Sequence, residues 1–195
     1  MKRIIALIMT VAFALPLCFA DKLTVPAGKG KTEEIGDEYS EFLLEDANND
    51  GYLDIAEYLP RLSGTMGIYS YLYIYNPKER KFEKLDGEFF NLNINGDGTI
   101  SETTKADAMG TAILSCKLKW NGKKFKMMSS EYYLNLFLSP NDSQPTVYSE
   151  YKTYAWESND DEKVLSEKYY KETSSGKKIE VSKSEFEKAA KEFGY

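Results

Sequence analysis

Residues 46–57 read Asp-Ala-Asn-Asn-Asp-Gly-Tyr-Leu-Asp-Ile-Ala-Glu, and this window limits the possible folds more than any other stretch of the chain. Oxygen-bearing side chains stand at positions 1, 3, 5, 9 and 12, with Gly51 at position 6, where a sharp turn is needed. This spacing is typical of a calcium loop, because a hard cation takes about six to eight oxygens and alternate side chains must turn inward. The candidate ligands are Asp46, Asn48, Asp50, Tyr52 through its backbone carbonyl, Asp54 and Glu57. The alternative is a polar turn rich in Asp and Asn that holds no metal.

The residues after this window decide whether the loop lies between helices or between strands. An EF-hand needs an exit helix, but Pro60 and the Gly-containing stretch 63–67 would stop a helix after about one turn. The sequence therefore predicts that the loop joins two extended segments, with Asp54 as a direct ligand. Glu57 would be the bidentate ligand of the helical form, and its ligation stays open in the extended one.

The first twenty residues predict export. Two basic residues precede an apolar run over residues 4–14, and small residues end at Ala20, which is typical of a secretory signal peptide over residues 1–20. The run is too short to span a bilayer. A lipoprotein signal with Cys18 acylated is the alternative, which the bulky Leu17 disfavours. The chain is then expected in the periplasm or outside the cell, with residues 21–37 as a flexible leader rich in Gly.

The charge and the absence of histidine narrow the classes of function. Removing the signal with Lys2 and Arg3 changes the net charge from −6 to about −8. Nucleic acid is therefore not expected as a partner, whereas a cationic protein is. Without histidine there is no Ser-His-Asp or Cys-His nucleophile pair and no His-ligated zinc. The single cysteine after the signal, Cys116, lies in an apolar run and is expected as a buried thiol in a strand.

Aromatic alternation predicts β-strands along most of the chain. Residues 68–75 carry tyrosine at every second position with mainly aliphatic residues between, so both faces suit burial in a central strand. The tyrosine face could alternatively dock a carbohydrate or a protein. Residues 93–104 resemble a second calcium loop, but only Asp97 is acidic in the first nine positions, which favours a hairpin turn. An Asn-Gly hairpin is expected at residues 120–123.

The chain ends in a predicted amphipathic helix. Ser182 and Glu185 form a capping-box pattern, and an apolar stripe follows at Phe186, Ala189, Ala190 and Phe193. The expected fold is mainly β, an antiparallel β-sandwich or open barrel with a DxNxDGxxD calcium loop and one C-terminal helix. We expect a calcium-loop β domain over residues 38–140, and a β-hairpin and helix over residues 141–195 packed on the same domain.

Three segments in order resemble one family of proteins. They are the loop with its approach at residues 42–55, the strand-turn-strand at residues 71–82 and the Lys119–Lys123 hairpin. The chain resembles small exported bacterial proteins with a single integrin-like, FG-GAP-type calcium loop, over about residues 38–135. That family includes a periplasmic immunity protein against a peptidoglycan hydrolase, with a fold similar to that of lysozyme inhibitors. The resemblance implies Ca²⁺ held by the ligand set above from Asp46 to Asp54.

The expected function is that of an exported calcium-binding, β-rich protein without catalytic residues, an inhibitor or immunity protein against a cationic cell-wall hydrolase. Opposite charge would speed the encounter with such an enzyme. The alternatives are a calcium-stabilised adhesion or structural module and, third, a carboxylate-pair hydrolase, for which the sequence singles out no pair of acids. Calcium is expected to be structural, because exported sites are held occupied by the surrounding calcium.

Overall fold

The protein is mainly β. The computed structural model describes residues 18–19, 22–64, 66–106, 111–136, 146–154, 163–173 and 175–192. These residues form three antiparallel sheets and one C-terminal helix, which confirms the predicted fold class at that level. The signal-peptide prediction lies outside the described residues, except for Cys18 and Phe19.

The first sheet is built on the two strands that flank the loop. Its strands are β1 (Cys18–Phe19), β4 (Glu41–Glu45), β5 (Asp54–Gly64), β6 (Gly67–Asn76), β7 (Lys81–Lys84) and β8 (Phe89–Phe90). They are ordered β1-β4-β5-β6-β7, with β8 also pairing with β6. The predicted central strand is therefore central, and its two faces enter two different hydrophobic clusters: Tyr73 lies in one, and Leu72 and Ile74 in the other.

A small hairpin occupies most of the stretch for which the sequence predicts a flexible leader. It consists of β2 (Leu23–Pro26) and β3 (Thr32–Ile35). Leu23, Val25 and Ile35 are buried in one cluster with Phe42 of β4. The leader prediction for residues 21–37 was wrong here because it weighed the glycines and Pro26 above the alternation of Leu23 and Val25. Gly28 and Gly30 belong to the turn between the two strands and have φ of 80° and 72°.

The second sheet is a meander in which every strand pairs with the next one in the chain. Its strands are β9 (Asn93–Ile94), β10 (Thr99–Lys105), β11 (Ala112–Trp120), β12 (Phe125–Leu136), β13 (Thr146–Tyr154), β14 (Val164–Glu172) and β15 (Lys178–Val181). The hairpin predicted at residues 120–123 is present between β11 and β12. Because β12 and β13 pair with each other, the strands on either side of residue 140 belong to one sheet.

The helix α1 (Lys183–Glu192) covers part of the second sheet. Its cap is as predicted, since the backbone N–H of Glu185 donates to Ser182 Oγ at 3.2 Å. Phe186 and Ala189 are buried, and the Phe186 ring lies 5.2 Å from the ring of Tyr169, centroid to centroid. Phe193, the last residue of the predicted stripe, lies outside the described residues.

The two larger sheets meet in a shared hydrophobic cluster. Ala56 and Leu72 of the first sheet are buried together with Ile94 and Ile100 of the second. Ala47, which belongs to the loop itself, is fully buried in the same cluster. The loop is thus part of the junction between the sheets.

Candidate metal centre

The loop over residues 46–53 connects β4 to β5, and Glu45 pairs with Asp54 across its base. Both flanking segments are strands, so the prediction of an extended exit segment is confirmed. The strand runs through Pro60, which would have ended a helix.

The side chains of three predicted ligands accept hydrogen bonds from backbone N–H groups of the loop itself. Asp46 Oδ1 accepts from Asp50 N at 3.1 Å, and Asp46 Oδ2 accepts from Gly51 N at 2.8 Å. Asn48 Oδ1 accepts from Asp50 N at 3.0 Å, and Asp50 Oδ1 accepts from Tyr52 N at 3.0 Å. Gly51 has a φ of 88°, which glycine adopts without steric cost. The sequence therefore folds locally into a tight turn that gathers the oxygens of Asp46, Asn48 and Asp50.

Asp54 is fully buried and fastens the loop to the sheet. Its Oδ2 accepts from Ala47 N at 2.9 Å, and its Oδ1 accepts from Tyr75 N of β6 at 2.9 Å. Burial raises the pKa of Asp54 to about 7. The two backbone N–H donors lower the pKa, and the negative charges of Asp50 and Asp46 raise it further, but both effects are smaller than that of burial. Each carboxylate oxygen therefore already has a backbone donor.

Glu57 lies apart from the loop oxygens. Asp54 and Glu57 are three residues apart in one strand, so their side chains leave opposite faces of the sheet. Glu57 is buried, and its two oxygens accept from Ser40 Oγ and Tyr73 Oη, each at 2.7 Å. Desolvation, followed by the hydrogen bond to Glu57, raises the pKa of Tyr73. The structure does not bring Glu57 to the other predicted ligands, because the helix that would have carried it there is a strand.

The remaining donor set fits a hard cation by its chemistry. Asp46, Asn48, Asp50 and Asp54, together with the carbonyl of Tyr52, offer only oxygen, which suits Ca²⁺ better than a softer metal. Within the described residues no three acidic or thiol side chains form a ready-made metal cluster. Asp46, Asp50 and Asp54 therefore do not form such a cluster by themselves, and their carboxylates accept hydrogen bonds from backbone N–H groups.

The second Asn- and Gly-rich turn is a hairpin, as predicted. Strands β9 and β10 pair across it, and Asn95 N donates to Thr99 O at 3.0 Å. Asp97 Oδ1 accepts from the backbone N–H and the hydroxyl of Thr99, and Lys117 Nζ lies 3.8 Å from Asp97 Oδ2. The hydrogen bonds from Thr99, ahead of the charge of Lys117, lower the pKa of Asp97. This carboxylate therefore holds a turn and has a lysine beside it.

The turn at residues 95–98 lies directly against the calcium-loop candidate. A Cβ on Gly98, which has a φ of 75°, would stand 3.2 Å from the carbonyl oxygen of Asn48 and 3.3 Å from Asn49 Cβ. On its other side, Gly98 O accepts from Trp120 N of β11 at 3.0 Å. The two turns are separate motifs in the sequence, and no residue pattern within either one predicts that they lie against each other.

The sequence also did not predict which residues hydrogen-bond to the buried carboxylates, because these residues are distant in sequence. Ser40 and Tyr73 satisfy Glu57, and Tyr75 satisfies Asp54, but all three come from other segments of the chain. For Tyr73 and Tyr75, the sequence feature that pointed to such a role was the burial expected for the strand at residues 68–75.

No helix in the described part of the chain has the length and apolar character that a bilayer crossing needs. Comparison of the chain with protein-family models, with curated proteins and with solved structures gave no match.

Proposed function

We propose that the chain is an exported, β-rich protein that binds one Ca²⁺ in the loop at residues 46–54. The observation that carries this proposal is the convergence of the oxygens of Asp46, Asn48 and Asp50 on one tight turn with Gly51 at its bend. The carbonyl of Tyr52 and the carboxylate of Asp54 would complete the set. A bound Ca²⁺ would supply positive charge among three carboxylates that otherwise repel one another.

The role of calcium in this proposal is structural. Asp54 is buried and connects the loop to β6. A cation held by this loop would therefore stabilise the sheet and would not drive a conformational change. An exported site with a Kd of about 10⁻⁴ to 10⁻³ M would stay occupied in calcium-rich surroundings.

As a partner we propose a cationic cell-wall hydrolase, which the protein would inhibit. Residues 33–60 contain ten of the 31 acidic residues and no lysine or arginine, so negative charge is concentrated around β3, β4 and the loop, although Asp54 and Glu57 among the ten are buried. Such a surface speeds encounter with a basic enzyme. The resemblance to exported proteins that include an immunity protein supports the same partner. The two buried carboxylates, Asp54 and Glu57, accept hydrogen bonds from the chain itself, which supports a structural role for them over a catalytic one.

Two measurements test the proposal separately. Titration calorimetry with CaCl₂ should show one site per chain, and the absence of heat would contradict calcium binding. Stoichiometric protein should slow the digestion of cell walls by basic muramidases. If the protein is retained on cells or glycans but inhibits no muramidase, its function is that of an adhesion module and not that of an inhibitor.

A further inference from the structure

The contact between the loop and the turn at residues 95–98 joins two parts of the molecule that are about fifty residues apart in sequence. On one side are Asn48 and Asn49, which belong to the candidate calcium loop. On the other side is Gly98, which ends the turn between β9 and β10. The close approach favours a residue without a side chain, because a Cβ at Gly98 would be 3.2 Å from Asn48 O, a tight contact that the loop would have to move slightly to relieve. The two backbones therefore lie close together, with little room for a side chain between them.

The contact continues into the second sheet through a hydrogen bond. Trp120 N donates to Gly98 O at 3.0 Å, so the end of β11 is held by the same residue that touches the loop. The rings of Trp120 and Phe125 lie 5.1 Å apart and pack against the cluster that contains Ala47. The loop is thus linked to the β11–β12 hairpin through Gly98, and its Ala47 belongs to the hydrophobic cluster against which the hairpin packs.

We infer that calcium binding at residues 46–54 is coupled to the stability of the β11–β12 hairpin through the contact of Asn48 with Gly98. This inference rests on the proposed calcium function of the loop. A cation that holds the side chain of Asn48 also fixes the carbonyl of the same residue, against which Gly98 packs. Without the cation, repulsion between the carboxylates of Asp46 and Asp50 acts on the loop backbone, and the support for Gly98 weakens. The second sheet then opens more often at the end of β11.

Amide hydrogen exchange of the wild-type chain tests the coupling directly. Calcium should slow the exchange of the Trp120 amide by about tenfold, because local opening at that end of the hairpin becomes rarer. The amide of Gly176, which donates to Thr173 O in the distant β14–β15 turn, serves as the internal reference and should not change. Calorimetry on the same sample reports binding independently.

Two glycines of the same turn offer a matched pair of variants. Gly98→Ala and Gly96→Ala both place a side chain at positive φ, 75° and 73°, so the backbone strain is alike. Only the alanine at position 98 meets the loop, since a Cβ at Gly96 has nothing within 4 Å. The G96A chain should keep the calcium-dependent protection of Trp120, and the G98A chain should lose it while still giving heat with calcium.

The outcomes separate the coupling from the binding. Heat with calcium but unchanged exchange at Trp120 would overturn the coupling and leave the calcium site standing. Equal behaviour of G98A and G96A would overturn the part assigned to Gly98. No heat would overturn the proposed calcium site and the coupling with it. The wild-type comparison needs no variant, so it decides even if G98A fails to fold.

Discussion

The backbone N–H of Tyr75 donates to Asp54 Oδ1 at 2.9 Å, and this bond ties the end of the loop to the neighbouring strand β6. Asp54 belongs to the first residue pair of β5, and its other oxygen accepts from Ala47 inside the loop. One buried carboxylate therefore fixes the loop to the sheet whether or not a cation is bound.

Asp54→Ala should be strongly destabilising. The substitution leaves two buried N–H groups, those of Ala47 and Tyr75, without their acceptor, and we expect the free energy of unfolding to fall by about 3 kcal/mol. Asp54→Asn keeps one acceptor oxygen and should lose about half as much. Urea denaturation in the presence of chelator measures both. A loss below about 0.5 kcal/mol for the alanine variant would show that the bonds are not important to stability.

Tyr73→Phe should destabilise the protein by about 2 kcal/mol, because Glu57 Oε2 loses its buried donor. Tyr71→Phe is the matched control on the same strand face. Its hydroxyl donates to the exposed Glu88 at 3.4 Å, so its removal should change stability by no more than about 0.5 kcal/mol. Thermal unfolding of the two variants gives the comparison, and equal losses would argue against a special role for the Glu57 pair.

Stability in chelator should fall as the pH rises from about 4 to about 7. The folded pKa of Asp54 is about 7, above the ordinary value of 3.8, so the folded state binds a proton that the unfolded state has released. The contribution of protonated Asp54 is fully present below pH 3.8 and is lost as the pH rises through 7. Asp54→Asn should flatten this part of the stability profile. A wild-type profile parallel to that of the variant would contradict the raised pKa.

Asp50→Ala should abolish the calcium-dependent rise in melting temperature. At a calcium concentration of about ten times Kd, binding adds about 1.4 kcal/mol and raises the melting temperature by about 4 °C. Asp86→Ala is the control, because Asp86 is an exposed acidic residue outside both the loop and the turn at residues 95–98, so its removal should leave the calcium response intact. Identical wild-type melting curves with calcium and with chelator would refute the structural role of the cation.

The strands and the helix could be predicted because their signals are local. The tyrosine alternation of residues 68–75 and the cap at Ser182 depend on residues within a few positions of each other, and both are present in the structure. The exit from the loop was predicted as extended from Pro60 and the Gly-containing stretch 63–67, and β5 confirms it. The flexible leader was not a correct prediction, since the burial of Val25 depends on Phe42, which lies on a later strand.

The site was predictable only in its local part. Spacing identified Asp46, Asn48 and Asp50, whose oxygens do converge on one turn. The spacing also predicted Glu57 as a ligand, but Glu57 lies in strand β5 and its side chain points to the opposite face of the sheet from Asp54. The contact of Gly98 with Asn48 depends on how two sheets pack, which no pattern in a single segment encodes.

The meander order of the second sheet bears on how the chain folds. Since every strand from β9 to β15 pairs with its neighbour in sequence, the sheet can grow hairpin by hairpin without closing long loops. Pairing between strands that are neighbours in sequence gives a lower contact order than pairing between distant strands, which favours faster assembly. The first sheet, in contrast, gains its last strand β8 only by returning to β6, so we expect the two halves of the molecule to differ in their folding kinetics.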